Sequence, residues 1–187
     1  MSSGDLPVRP PQGLTVDPFA CITCDLADKG WCVVDDFVSA EWAAELLEEQ
    51  RLLSRGDALP AQQRYLTLHE KLRLAVNRDL YLGLCEQETH AAIYPPGGFY
   101  RRHLDGFQQG NLRTLSVILY LNPRWNIQDG GALRLYLDAN PNGELLDVLP
   151  ESGRLVAFLS ECFHHEVLPT RRARLSITSW FTRRPLQ

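Results

Sequence analysis

From about residue 90 to residue 183, apolar residues fall in short runs, several of them alternating with polar ones. Turn-forming clusters separate the runs: PPGG at 95–98, QQGN at 108–111, DGG at 129–131 and NPNG at 140–143. A period of two, broken every few residues by Gly, Pro, Asn and Asp, is the pattern of antiparallel strands. It predicts strands over 90–94, 99–105, 113–121, 132–137, 144–148, 154–159, 163–168 and 173–182.

Before residue 90 the pattern changes. GWCVVDDF at 30–37 reads as a short buried strand ending at two aspartates. Ser39 then offers an N-cap for a helix over about 40–53, with Trp42, Ala43, Leu46, Leu47 and Leu53 on its inner side. A polar break over 54–63 precedes a second helical stretch, about 70–84, that carries Leu72, Ala75, Val76, Leu80 and Leu84. Residues 1–18 hold four prolines and no apolar period, so an extended leader is expected, taken as far as residue 29. The expected fold is mainly β with flanking helices: a double-stranded β-helix (jelly roll) with two N-terminal helices packed on one sheet. One domain would span 30–187, its jelly-roll core about 90–183.

Composition narrows this picture. A chain of 187 residues, 44% hydrophobic, carries one sizeable core. The net charge of −4 offers no general attraction to nucleic acid or to an anionic membrane, and neither is an expected partner. The longest apolar runs, such as 115–121 and 155–159, are strand-sized, far short of the roughly 20 residues of a membrane-spanning helix. The N-terminus lacks the basic and apolar regions of a secretory signal, so a cytoplasmic location is expected. Five cysteines are an odd number, which fits reduced thiols; Cys21 and Cys24 form a CxxC pair with no second pair to complete a zinc site.

The candidate chemistry begins at His103-Leu104-Asp105, in the second predicted strand. Side chains two apart on a strand face the same way, so the imidazole and the carboxylate can reach one metal ion while Leu104 points to the other face. A further histidine would complete a two-His, one-carboxylate triad with coordination positions left open, as non-haem iron oxygenases need. A histidine merely hydrogen-bonded to its neighbour is the alternative. In the last predicted strand, alternation puts Arg174, Ser176, Thr178 and Trp180 on one face and Leu175, Ile177, Ser179 and Phe181 on the other. An arginine facing a barrel interior is costly unless it meets an anion, and a carboxylate matches its fork; otherwise Arg174 is a rim residue in solvent. On another strand Thr114, Ser116, Ile118 and Tyr120 share a face, from which Tyr120 can hydrogen-bond the same anion.

Three blocks carry a family resemblance. They are the run from Tyr94 through PPGG to His103 and Asp105; Tyr120-Leu121-Asn122 followed by Trp125 and Asp129-Gly130-Gly131; and His165-Glu166-Val167 with Arg174 nine residues after His165. Together they resemble the prolyl hydroxylase branch of the 2-oxoglutarate oxygenases, and GWCVVDDF resembles the entry to the catalytic domain of the oxygen-sensing (hypoxia-inducible-factor) prolyl hydroxylases. The resemblance covers about residues 30–183. It implies that His103, Asp105 and His165 bind Fe(II), that Arg174 and Tyr120 bind the distal carboxylate of 2-oxoglutarate, and that Thr178 assists. His164 has no matching role and is expected to pack or to face solvent. Arg113, Trp180 and Tyr94 would be on the substrate side. The implied reaction consumes O2 and 2-oxoglutarate, hydroxylates a prolyl residue in a protein or peptide, and releases succinate and CO2. A hydroxylase of a free amino acid or other small molecule is the competing enzyme; a jelly-roll binding module without catalysis is the competing non-enzyme. The chain departs from the oxygen-sensing animal enzymes in a shorter region between Phe37 and Tyr94 and a YPPGG turn one residue shorter, both where such enzymes grip their protein substrate.

Overall fold

The computed structural model describes residues 18–52, 59–105, 112–138 and 143–184. At its centre is β4 (Arg113–Tyr120), buried along almost its whole length. That burial explains the apolar run 115–121: Leu115, Val117 and Leu119 face one hydrophobic cluster, and Ile118 and Tyr120 face another.

The other strands are β1 (Trp31–Val34), β2 (Leu84–Tyr94), β3 (Tyr100–His103), β5 (Leu133–Tyr136), β6 (Leu145–Val148), β7 (Leu155–Leu159), β8 (His165–Val167) and β9 (Arg174–Arg183). They form a five-stranded sheet, in the order β1-β7-β4-β9-β2, and a four-stranded sheet, β3-β8-β5-β6. Every strand pairing is antiparallel. Each of the eight predicted strands from residue 90 onward has its counterpart, and the predicted strand at 30–37 is β1.

Among the described residues three helices, not two, precede β2: α1 (Pro18–Lys29), α2 (Ala40–Leu52) and α3 (Pro60–Leu80). They cover the outer face of the five-stranded sheet, where Ile22 and Leu26 of α1, Ala43 and Leu46 of α2 and Tyr65, Leu72 and Val76 of α3 join Ile177 and Phe181 in one cluster. The second cluster lies between the sheets and contains Leu133, Leu135, Val156 and Phe158.

The helical part corrects three expectations. The leader taken to residue 29 is helical from Pro18, because Phe19, Ile22 and Leu26 recur at helical spacing and bury against the core; its residues 1–17 lie outside the described ones. Helix α3 starts at Pro60, ten residues before its predicted start at 70. Pro60 occupies the first helical turn, and the Glu49 carboxylate of α2 accepts from the Ala61 and Gln62 amides at 2.8 and 2.9 Å, satisfying donors that the local sequence leaves open. The helix ends at Leu80 because Tyr81 takes a left-handed conformation (φ 55°). Leu84, expected in α3, therefore opens β2, where the Asn77 side chain bonds both its N–H and its carbonyl. As predicted, Ser39 caps α2, accepting from the Trp42 amide at 3.2 Å. Leu53 and the turns at 108–111 and 140–142 lie outside the described residues.

Candidate active site

Strand β3 ends at His103, so Asp105 stands two residues beyond it in a turn, and the predicted strand to residue 105 is two residues too long. Leu104, expected on the other face, is partly buried and is itself among the residues lining the cavity that holds His103 and Asp105. That cavity, of about 310 Å³, opens between the sheets and is also lined by His165, Tyr94, Arg113, Arg174, Thr178 and Trp180.

Pairing of β3 with β8 sets His103 opposite His165, with ring centroids 4.1 Å apart. The possible ligand atoms of His103, Asp105 and His165 all lie within 4.8 Å of one another, the one such group among the described residues. Their hydrogen bonds suit a metal. His103 Nδ1 lies 2.9 Å from the Arg101 carbonyl and His165 Nδ1 lies 3.2 Å from the Phe163 carbonyl. A carbonyl only accepts, so each Nδ1 carries the hydrogen and each Nε2 keeps its lone pair for the cavity, the arrangement that orients metal-binding histidines. His164, next in sequence, is exposed, as expected.

Electrostatics point the same way. Burial pushes the Asp105 carboxyl up, but the His103 hydrogen bond, the electrostatic pull of the His165 ring and the Ser116 and Trp180 donors outweigh it and hold the group well below the usual carboxylate range. Burial drives His165 down to about 4, so it is a neutral ligand at neutral pH. For His103 burial acts downward too and is the largest single influence, but the hydrogen bond and charge of Asp105 and the backbone bonds at Arg101 and His165 together overcome it, leaving the imidazole raised. A metal ion would displace that proton.

On the far side of the cavity Arg174, 2% exposed, has no carboxylate partner among the described residues. Its Nε donates to the Gly131 carbonyl at 2.8 Å. Gly131 permits this approach: with φ at 67°, a Cβ there would come within 3.0 Å of Thr170 and 3.2 Å of Arg174 Cδ. The guanidinium lies 5.0 Å from the Tyr120 ring and 5.2 Å from the Tyr94 ring. The Tyr120 hydroxyl, fully buried, has no hydrogen-bond partner among the described residues. A buried arginine without a counter-charge and an orphaned buried hydroxyl are the complement a carboxylate requires. Tyr120, fully buried, is seated against Arg174 at that end of the cavity.

At the mouth Arg113 stacks over Trp180 at 3.8 Å and pairs with Glu88 at 2.7 Å. His90, which also bonds Glu88, meets the Trp180 ring edge-on at 5.6 Å. The Trp180 indole N–H donates to Asp105 Oδ2 at 2.7 Å, tying mouth to metal site. Sequence reasoning had placed Arg174, Ser176, Thr178 and Trp180 on one face, and all four line the cavity. It missed Glu88 and His90, whose part of β2 carried no chemical pattern, and it gave no role to Tyr100, three residues before His103, or to Ser116, although that residue shared the face of Tyr120.

Known proteins match this arrangement. Residues 89–182 match the profile of the 2OG-Fe(II) oxygenase superfamily. A Pseudomonas putida prolyl-4-hydroxylase crystal structure is 44% identical, with a TM-score of 0.83 over 90% of this chain and 94% of that one. A Trichoplax adhaerens prolyl hydroxylase, solved with a hypoxia inducible factor oxygen degradation domain peptide fragment, is 25% identical with a TM-score of 0.75 over 88% of each chain. A hypoxia-inducible factor prolyl hydroxylase of Caenorhabditis elegans is 39% identical over 93 residues, 48% of this chain but only 12% of that protein. The chain belongs to the 2OG-Fe(II) oxygenase superfamily, in its prolyl hydroxylase branch, with Fe(II) as its cofactor and 2-oxoglutarate and O2 as its cosubstrates.

Proposed function

We propose that the chain is a dioxygenase that hydroxylates a prolyl residue within a peptide or protein, and that its two sheets and helical layer are a double-stranded β-helix of the jelly-roll type. The observation that carries the reading is one cavity in which the triad lies between a buried carboxylate-binding end and an aromatic, positively charged mouth.

His103, Asp105 and His165 would hold Fe(II), and Arg174, with Tyr120 and Thr178, the distal carboxylate of 2-oxoglutarate. The bound metal and cosubstrate supply oxidative decarboxylation to succinate and CO2, with an oxygen atom delivered to an unactivated C–H bond. The protein's own share is positioning. Arg174 offers charge-assisted bonds from a desolvated wall, and Tyr120, pushed up to about 12 by burial, stays a neutral donor. Trp180, beside Asp105, gives a flat apolar wall for a pyrrolidine ring, which presents a rigid body and no amide donor. Arg113 at the mouth is placed to donate to a backbone carbonyl of an extended peptide, and Tyr94 closes the cavity beside Arg174. The relatives' names support this substrate class: one similar structure is called a prolyl-4-hydroxylase and another holds a peptide. No described helix is long and apolar enough to cross a membrane; we place the reaction in the cytoplasm, on proline-containing protein partners.

The test supplies proline-containing peptides and free proline separately and follows succinate and the gain of one oxygen in the product, for the parent, Arg113→Ala and Trp180→Ala proteins. Peptide turnover that both substitutions depress is expected. Turnover of free proline and of no peptide would defeat the reading in favour of a small-molecule hydroxylase.

A further inference from the structure

Ser116 on β4 and Ser160, in the turn after β7, are both fully buried, and their hydroxyl oxygens lie 2.8 Å apart. Ser116 Oγ also lies 2.6 Å from Asp105 Oδ2. The hydrogen inventory sets the direction of this chain. An ionised carboxylate only accepts, so the single Ser116 hydrogen goes to Asp105; Ser116 then only accepts, and Ser160 is the donor to it. Each bond polarises the next, so the Ser160 hydroxyl strengthens the Ser116 bond to the carboxylate.

The position of Asp105 makes this matter. His103 and His165 belong to paired strands, whereas Asp105 is in a turn past the end of β3 and has no ladder to hold it. Its side chain is nonetheless buried, and Oδ2 is bonded from two adjacent strands of the opposite sheet, by Ser116 on β4 and by Trp180 on β9. Ser116 and Trp180 are register partners across those strands, so the two donors converge from a rigid ladder. Ser160 is held in turn by its backbone N–H, which donates to the Thr114 carbonyl at 3.0 Å.

We propose that Ser116 and Ser160 are positioning residues for the metal: a buried two-hydroxyl relay sets the plane of the Asp105 carboxylate beside His103 and His165. The relay supplies from the facing sheet the support that strand pairing gives the two histidines. It rests on the triad as the metal site and needs nothing from the substrate assignment.

The experiment titrates the metal-free chain with Mn(II) alone by calorimetry, records the visible spectrum with Co(II) alone, and measures the thermal midpoint of each metal-free protein. Ser116→Ala is expected to weaken Mn(II) binding about 10- to 100-fold, the usual effect of removing a partner of a metal ligand. It should also alter the Co(II) spectrum. Ser116→Thr, which keeps the hydroxyl, restores most of the affinity. Ser160→Ala weakens binding less than Ser116→Ala does, and adds nothing in the Ser116→Ala background, because Ser160 acts through Ser116. Unchanged Mn(II) affinity in Ser116→Ala would overturn the relay, as would a Ser160→Ala effect that is as large without Ser116 as with it. Should Ser116→Ala not fold, Ser160→Ala alone decides, its affinity falling if the relay holds and matching the parent if it does not. A parent that binds no Mn(II) would remove the triad itself, and the relay with it.

Discussion

Replacing Tyr120 with Phe removes one oxygen and should move two measurements in opposite directions. The hydroxyl is fully buried and, among the described residues, unpartnered, with the Arg174 guanidinium 5.0 Å from the ring. Without 2-oxoglutarate it makes no hydrogen bond within 3.5 Å to the described residues, so its loss removes a desolvated group at little cost in contacts. The metal-free, cosubstrate-free variant is expected to be as stable as the parent or up to about 1 kcal/mol more stable, a rise of up to about 4 °C in thermal midpoint for a chain of this size. With 2-oxoglutarate present the same oxygen donates to the distal carboxylate, a bond worth about 1 kcal/mol. The dissociation constant should therefore rise about five- to ten-fold. Scanning fluorimetry gives the first quantity and calorimetric titration of the Mn(II)-loaded protein the second. A lower midpoint together with unchanged 2-oxoglutarate affinity would refute the reasoning, since it would mean that the hydroxyl serves the fold and not the ligand.

Arg174→Ala is expected to weaken 2-oxoglutarate binding at least about 100-fold, because it strands a desolvated carboxylate at a cost of about 3–5 kcal/mol; binding close to the parent's would place the cosubstrate elsewhere. His165→Ala should abolish Mn(II) binding while His164→Ala leaves it intact, since His164 is exposed and His165 faces the triad; calorimetry that ranks them the other way would show the wrong histidine was chosen. His69 on α3 is fully buried, stacked on Phe181 and tilted against Tyr65, and burial drives it down from 6.5 to about 3. Above 6.5 both folded and unfolded states are neutral there; below it the unfolded chain takes up a proton that the folded one refuses, so stability falls as pH drops toward about 3. In urea melts near pH 7 and pH 5, His69→Leu should lose about 2 kcal/mol less than the parent over that interval; equal losses would show that His69 is protonated in the folded state.

What the sequence by itself determined was the local pattern and its chemistry. The strand period with its turn residues located the strands from residue 90 onward, and the alternation in β9 put Arg174, Thr178 and Trp180 on one face. That succeeded because direction along a strand is a local property, set by the pleat and independent of what the strand packs against. The triad was legible for the same reason at His103, and through the family blocks at His165. Tertiary structure decided the rest. The early start of α3 depends on a carboxylate 12 residues upstream in α2, and α1 needs a core to bury Ile22 and Leu26. The same holds at the site. Asp105 lies beyond its strand, so its direction is set by Ser116 and Trp180, respectively 11 and 75 residues later in the chain. Local patterns say which way a side chain leaves a regular element, but where an element ends, or where a polar group needs a partner, the answer is supplied by whatever the fold brings opposite, and that is not written in the neighbouring residues.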